Sequence, residues 1–182
     1  MVGFESYVYD RVVEALRSIP LSDAEDAYVV SLLVYDEDDE PSRPTVMVSI
    51  NTETVFREAL ASASSAEEAR WNYAFWLQDP LGILFESLED PDGALRRDEW
   101  IREARLQDSD QGPGGVTANF VVVLERTVAL LHENGVVQSV FGRGIPVLFH
   151  ELEYYEEIAE QNRRANPAGL ADAFAAWVMG AD

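Results

Sequence analysis

Residues 27–35, Ala-Tyr-Val-Val-Ser-Leu-Leu-Val-Tyr, are rich in β-formers and carry apolar side chains on both faces of an extended chain. Such a stretch reads as a central strand, which has to be covered on both sides. Residues 44–50 alternate more cleanly, with Val46, Val48 and Ile50 on one face and Thr45, Met47 and Ser49 on the other. Between them lie Asp36-Glu37-Asp38-Asp39-Glu40-Pro41-Ser42-Arg43, too polar for anything but a solvent-exposed hairpin loop. The expected architecture is a single α+β domain over residues 1–182, with a small, mainly antiparallel sheet covered by several helices.

Helical signals surround this hairpin. Phe4, Val8, Val12, Ala15, Leu16 and Ile19 form one stripe that Pro20 ends. Asn51 or Thr52 caps a helix running to about residue 62, and the capping box Ser65-Ala66-Glu67-Glu68 opens another that carries Trp71, Tyr73, Phe75, Trp76 and Leu77. Residues 94–107 are charged and helix-favouring, anchored by Leu95, Trp100, Ile101 and Ala104. Gln111 to Gly115 reads as a flexible joint. Residues 117–134 predict a helix capped by Thr117, stopped by Gly135 and buried through Phe120, Leu124, Thr127, Val128 and Leu131. The Val121-Val122-Val123 run allows a strand at its start, but the length favours helix. Two short strands are expected at Val136–Phe141 and Ile145–Phe149, followed by a helix through Arg164 and another over about 168–179.

Composition narrows the function classes. Thirty-four acids against thirteen bases give a net charge of −21, and every base is Arg. That charge opposes binding to nucleic-acid phosphates and anionic lipids and favours encounter with a basic partner. There is no Cys, so disulfides, thiolate metal sites and Cys nucleophiles are excluded together. The opening residues lack a basic stretch followed by an apolar one, and no apolar run approaches the ~18–20 residues of a bilayer span, so a cytoplasmic protein without membrane contact is expected.

No catalytic or cofactor motif stands out. His150, Glu153 and Glu157 would align on a helix beginning near His150, a zinc- or iron-like set that is lost if residue 150 ends a strand. His132 has no second His at zinc-protease spacing. Gly142-Arg143-Gly144 lacks the rest of a phosphate or dinucleotide loop and reads as a tight turn whose Arg pairs with a carboxylate, and no Gly-x-Ser-x-Gly elbow is present. The acids of residues 36–40 lack the spacing and central Gly of an EF-hand loop. The aromatic run from Trp71 to Trp76 lies among acids and reads as core. No cofactor or metal is expected.

Three stretches together carry a resemblance: Tyr35 to Pro41 leading to Asn51-Thr52-Glu53, Ala69 to Trp76, and Ile145 to Tyr155. They resemble the DUF4303-like family of uncharacterised bacterial domains found among actinobacteria, which has no assigned catalytic residues. Compact acidic α+β domains of this size also include immunity proteins that neutralise toxins delivered between bacteria. The reading that follows is a protein-binding module, an immunity-type inhibitor of a basic toxin. Its contact surface would combine Asp36, Glu37, Asp38, Asp39 and Glu40 with the acidic face of a 151–160 helix: Glu151, Glu153, Glu156, Glu157 and Glu160. The alternative is a metal-dependent hydrolase centred on His150 and nearby carboxylates.

Overall fold

In the computed structural model, which describes residues 3–107 and 114–180, the expected hairpin is the centre of the fold. β1 (Ala27–Asp36) and β2 (Pro44–Thr52) pair antiparallel, with Leu32 opposite Val48 and Val34 opposite Val46. β3 (Gly82–Leu84) adds antiparallel to β2, and β4 (Val147–His150) adds parallel to β1, giving the order β3-β2-β1-β4. β1 is internal, as its two apolar faces require. The sheet is mainly antiparallel and helices pack around it, an α+β fold.

Val30, Leu32 and Val34 face one layer. There they meet α1 (Phe4–Arg17), α6 (Gly114–Glu133) and α7 (Val136–Phe141) through side chains such as Val8, Leu16, Phe120, Leu124 and Leu131. Each fully buried Leu or Phe contributes about 1.5–3 kcal/mol relative to exposure. Val29, Leu33 and Leu148 face the other layer, built from Trp71, Tyr73, Trp76, Ile158 and Phe174. Six further helices complete the shell among the described residues: α2 (Leu21–Asp26), α3 (Glu53–Ala59), α4 (Ala66–Trp71), α5 (Pro91–Gln107), α8 (Glu156–Ala165) and α9 (Asp172–Val178).

Several expectations are corrected. Val136–Phe141 is helix: Val136, Val137, Val140 and Phe141 face inward while Gln138 and Ser139 face out, a helical spacing that the β-branched composition disguises. Left-handed Gly135 and Gly142 bound it. The helix opened by Ser65 ends at Trp71, and residues 73–75 turn as a short 3-10 segment, with the Asn72 side chain accepting from the Ala74 amide. Ser65 does accept from the Glu68 amide, but Glu68 reaches back to the Ser64 amide and hydroxyl. Leu95 is 69% exposed; Ala94, Arg97 and Ile101 take the inner stripe of α5. The helix expected from Thr117 already starts at Gly114, the helix from Thr52 stops at Ala59, and the last helix starts at Asp172. Arg143 donates to the backbone carbonyls of Glu25 and Ala27, not to a carboxylate. The joint's residues 111–113 and the side chain of Ala104 lie outside those described.

The outer edge of β4 is closed by amides. Asn162 accepts from the Phe149 amide at 3.0 Å and donates to its carbonyl at 2.8 Å; Asn166 makes the same pair with Val147, both at 2.9 Å. Four helical residues rise about 6.0 Å, and two strand residues about 6.6 Å, so an Asn-x-x-x-Asn step on α8 and its C-cap tracks alternate strand residues. Two side chains thus stand where a fifth strand would, which removes an edge that could recruit other chains. Asn162→Leu fills similar space but leaves a buried N–H and C=O unpaired, at about 1–3 kcal/mol each. Urea unfolding is expected to show a loss of about 2–5 kcal/mol; a loss below about 1 kcal/mol would mean that the amide pairing is dispensable.

Candidate functional site: the acidic loop end of the sheet

Strand directions bring three loops together. β1, β3 and β4 finish at one end of the sheet and β2 begins there, so residues 36–43, 85–90 and 151–155 share that end. α8 runs antiparallel to β4, because Asn162 meets Phe149 while Asn166 meets Val147. Its first turn, with Glu156 and Glu157, therefore starts at the same end. The two acidic segments read from sequence converge, and Glu86 and Glu89 join them through their charge effect on Tyr35.

Burial overturns one expected contact residue. Glu37 points inward and is 8% exposed. Its Oε2 lies 2.8 Å from Nη1 of the fully buried Arg97 and 3.0 Å from Nη2 of Arg43, while its Oε1 accepts from the Ser87 amide at 2.9 Å. Burial by itself raises this carboxyl, but the Ser87 hydrogen bonds and the Arg97 guanidinium outweigh it and lower the group from 4.5 to about 2. Arg97 also donates to the Phe85 carbonyl at 2.8 Å and lies 2.9 Å from Asp98 Oδ1. A buried guanidinium needs this many acceptors because losing one leaves charge without solvent or partner.

The backbone around the pair is strained. Asp38, Asp39 and Phe85 are the non-glycine residues with positive φ among those described, at 58°, 56° and 73°. All three flank Glu37 or the carbonyl that Arg97 holds. Such conformations cost on the order of 1–3 kcal/mol each and persist where neighbouring contacts fix them. Asp90 completes the anchor: it accepts from the Phe85 and Gly93 amides and from the Tyr7 hydroxyl, capping α5. A Cβ on Gly93 would lie 2.0 Å from that carboxylate, so the cap requires glycine there.

With Glu37 turned in, Asp36, Asp38, Asp39 and Glu40 remain exposed. Asp38 pairs with Arg43 at 3.2 Å, and Glu40 accepts from the Ser42 hydroxyl. Partial burial, then Asp39 and Glu40, raise the Asp36 carboxyl. Burial raises Glu151 as well, reinforced by Asp36 and Glu153, so charge is felt between the loops. Glu153 is exposed but lies in the loop before α8, not on a helix as expected; Glu156 and Glu157 are exposed in the first turn, and Glu160 pairs with Arg163 at 3.0 Å.

The alternative metal set of His150, Glu153 and Glu157 does not form. His150 ends β4 and is 1% exposed, so the helical alignment with Glu153 and Glu157 is lost. Its Nδ1–H donates to the Glu151 carbonyl at 2.9 Å, which leaves Nε2 to accept from the Ser31 hydroxyl at 2.9 Å. Burial lowers the imidazole to about 4. A hydroxyl on a neutral imidazole is the pairing of a nucleophile with its base, but Ser31 is 0% exposed and the rings of Tyr73, Trp76 and Tyr154 surround His150. In this packing the pair satisfies two polar groups within the second core. Among the described residues no group of three or more His, Cys, Asp or Glu side chains converges as a metal-ligand set, and no helix is long and apolar enough to cross a membrane.

Sequence reasoning missed Arg97, Ser87, Glu86 and Glu89. Arg97 had a visible signal: Ala94, Arg97 and Ile101 share a stripe at i, i+3 and i+7, and a charge on a buried stripe demands a partner. No known protein family, curated protein or solved structure matches the chain.

Glu37→Gln removes the charge that compensates Arg97, and breaking such a pair costs about 3–5 kcal/mol at neutral pH. Because the folded carboxyl titrates near 2 and the unfolded one near 4.5, its contribution is present above 4.5 and is lost as pH falls toward 2. Urea unfolding at pH 7, 4.5 and 2.5 should show the gap between parent and variant closing only in the last interval. A gap that is constant with pH would contradict the ionised buried pair.

Proposed function

We propose that the protein binds a basic protein partner through the acidic loop end of its sheet, as an immunity-type inhibitor covers the basic surface of a toxin. The observation that carries this reading is the inward Glu37–Arg97 pair beneath the strained turn. A turn selected only for hydration has no need of a buried ion pair, two left-handed Asp residues and a capped helix to fix its shape. Held this way, Asp36, Asp38, Asp39 and Glu40 present charge at set positions, and a partner's Arg or Lys side chains meet them without an ordering cost on this side of the interface. Glu151, Glu153, Glu156 and Glu157 extend the same field. Asp36 and Glu151 are raised first by burial and then by neighbouring carboxylates, and that repulsive part is relieved when cations arrive.

The field should act mainly on the association rate. A synthetic arginine-rich peptide is a suitable probe. The variant Asp36→Asn/Asp38→Asn/Asp39→Asn/Glu40→Gln is compared with Asp23→Asn/Glu25→Gln/Glu58→Gln/Glu67→Gln, which removes equal charge from exposed positions elsewhere. At low salt the first set is expected to slow association about tenfold and flatten its salt dependence, and the second about twofold or less. Equal slowing by both sets would show that only net charge matters. Thermal unfolding of the first variant should be unchanged or slightly improved, since exposed charges contribute little.

A further inference from the structure

The acidic end carries apolar side chains that its own fold does not cover. Leu88, between Ser87 and Glu89, is 89% exposed, and Leu152, between Glu151 and Glu153, is 71% exposed. Ser87 is held against the hairpin by its amide bond to Glu37 and its hydroxyl bond from Arg43, so Leu88 flanks the turn from the β3 side. Leu152 follows Glu151, whose carboxyl senses Asp36, and flanks it from the β4 side. Tyr155, 44% exposed, points its hydroxyl toward Glu151 Oε1 at 3.4 Å.

Single exposed leucines are ordinary on any surface. These two stand inside a field of like charge, where an apolar neighbour takes away hydration that the carboxylates would use. Such an arrangement gains free energy only when covered by a surface that is apolar at the leucines and cationic between them. Resting on the binding reading above, we infer that the partner element is a segment in which apolar side chains flank Arg or Lys, with the apolar groups seated on Leu88 and Leu152 and the cations on the turn between. A partner that is basic alone would leave both leucines wet. Covering one Leu is worth about ten- to a hundredfold in affinity.

The test uses two synthetic peptides of equal length and charge, one alternating Arg with Leu and the other Arg with Ser, titrated calorimetrically into the full chain. At 0.5 M salt, where screening acts within a few ångströms, the Arg–Leu peptide is expected to bind at least about tenfold tighter. That advantage should vanish in Leu88→Ser/Leu152→Ser, two changes at exposed positions that leave the fold's urea midpoint in place. Equal affinities for the two peptides, or an advantage that survives in the double variant, would overturn the apolar anchors. If both peptides bind equally at low salt, the acidic reading stands without them; if neither binds at low salt, the acidic reading fails as well.

Discussion

Eight consecutive residues of β1, Ala27 to Val34, are buried, and a strand buried on both faces and paired on both edges decides where everything else can go. Two layers of cover are obligatory, which is why α1, α6 and α7 occupy one face and the aromatic segment with α8 and α9 the other. The edge beyond β4 is then close to a helix rather than to water, and its backbone groups need partners that a helix can offer. Asn162 and Asn166 supply them.

The same constraint sorts charge. With both faces and the β4 edge covered, the loop end of the sheet takes a dense share of acids, and their mutual repulsion has to be offset by something. Arg97 and Arg43 do so from beneath, through Glu37. One acid of five turns inward, so the other four have a fixed platform. The second core shows the opposite solution to buried polarity. There, His150 stays neutral and shares its two nitrogens between a carbonyl and a hydroxyl, with aromatic rings around it. Between pH 6.5 and about 4 the unfolded chain's imidazole takes up a proton that the buried ring refuses, so this packing loses stability as pH falls through that window.

Much of the fold was legible because β1 is a continuous run of β-formers and β2 and α6 carry periods that can be followed: Val46, Val48 and Ile50 on β2, and Phe120, Leu124, Val128 and Leu131 on α6, face the core as read. Short elements were not. β3 has three residues and no period, and α7 carries helical spacing in a Val-rich run that intrinsic preference assigns to strand. The acidic turn was legible as a composition but not as a shape, because nothing local says which of five acids turns inward. That choice is made by Arg97, sixty residues away. The convergence of the 36–43, 85–90 and 151–155 loops follows from strand directions, and the parallel addition of β4 beside β1 is a tertiary choice that the pattern of Val147 to His150 does not specify.

The central claim is that the buried Glu37–Arg97 pair holds the acidic turn in one conformation, and amide hydrogen exchange reads it directly. The amides of Ser87, Glu40 and Arg43 are bonded respectively to the Glu37 carboxylate and to the carbonyls of Glu37 and Glu40. In the parent protein these amides should be protected, opening only through events that also expose β3. In Arg97→Met their protection should fall about a hundredfold or more relative to that of Val30 and Leu32 in β1, which report global unfolding. Near-intrinsic exchange at Ser87 and Glu40 in the parent, or a parallel fall at all five amides in the variant, would contradict it.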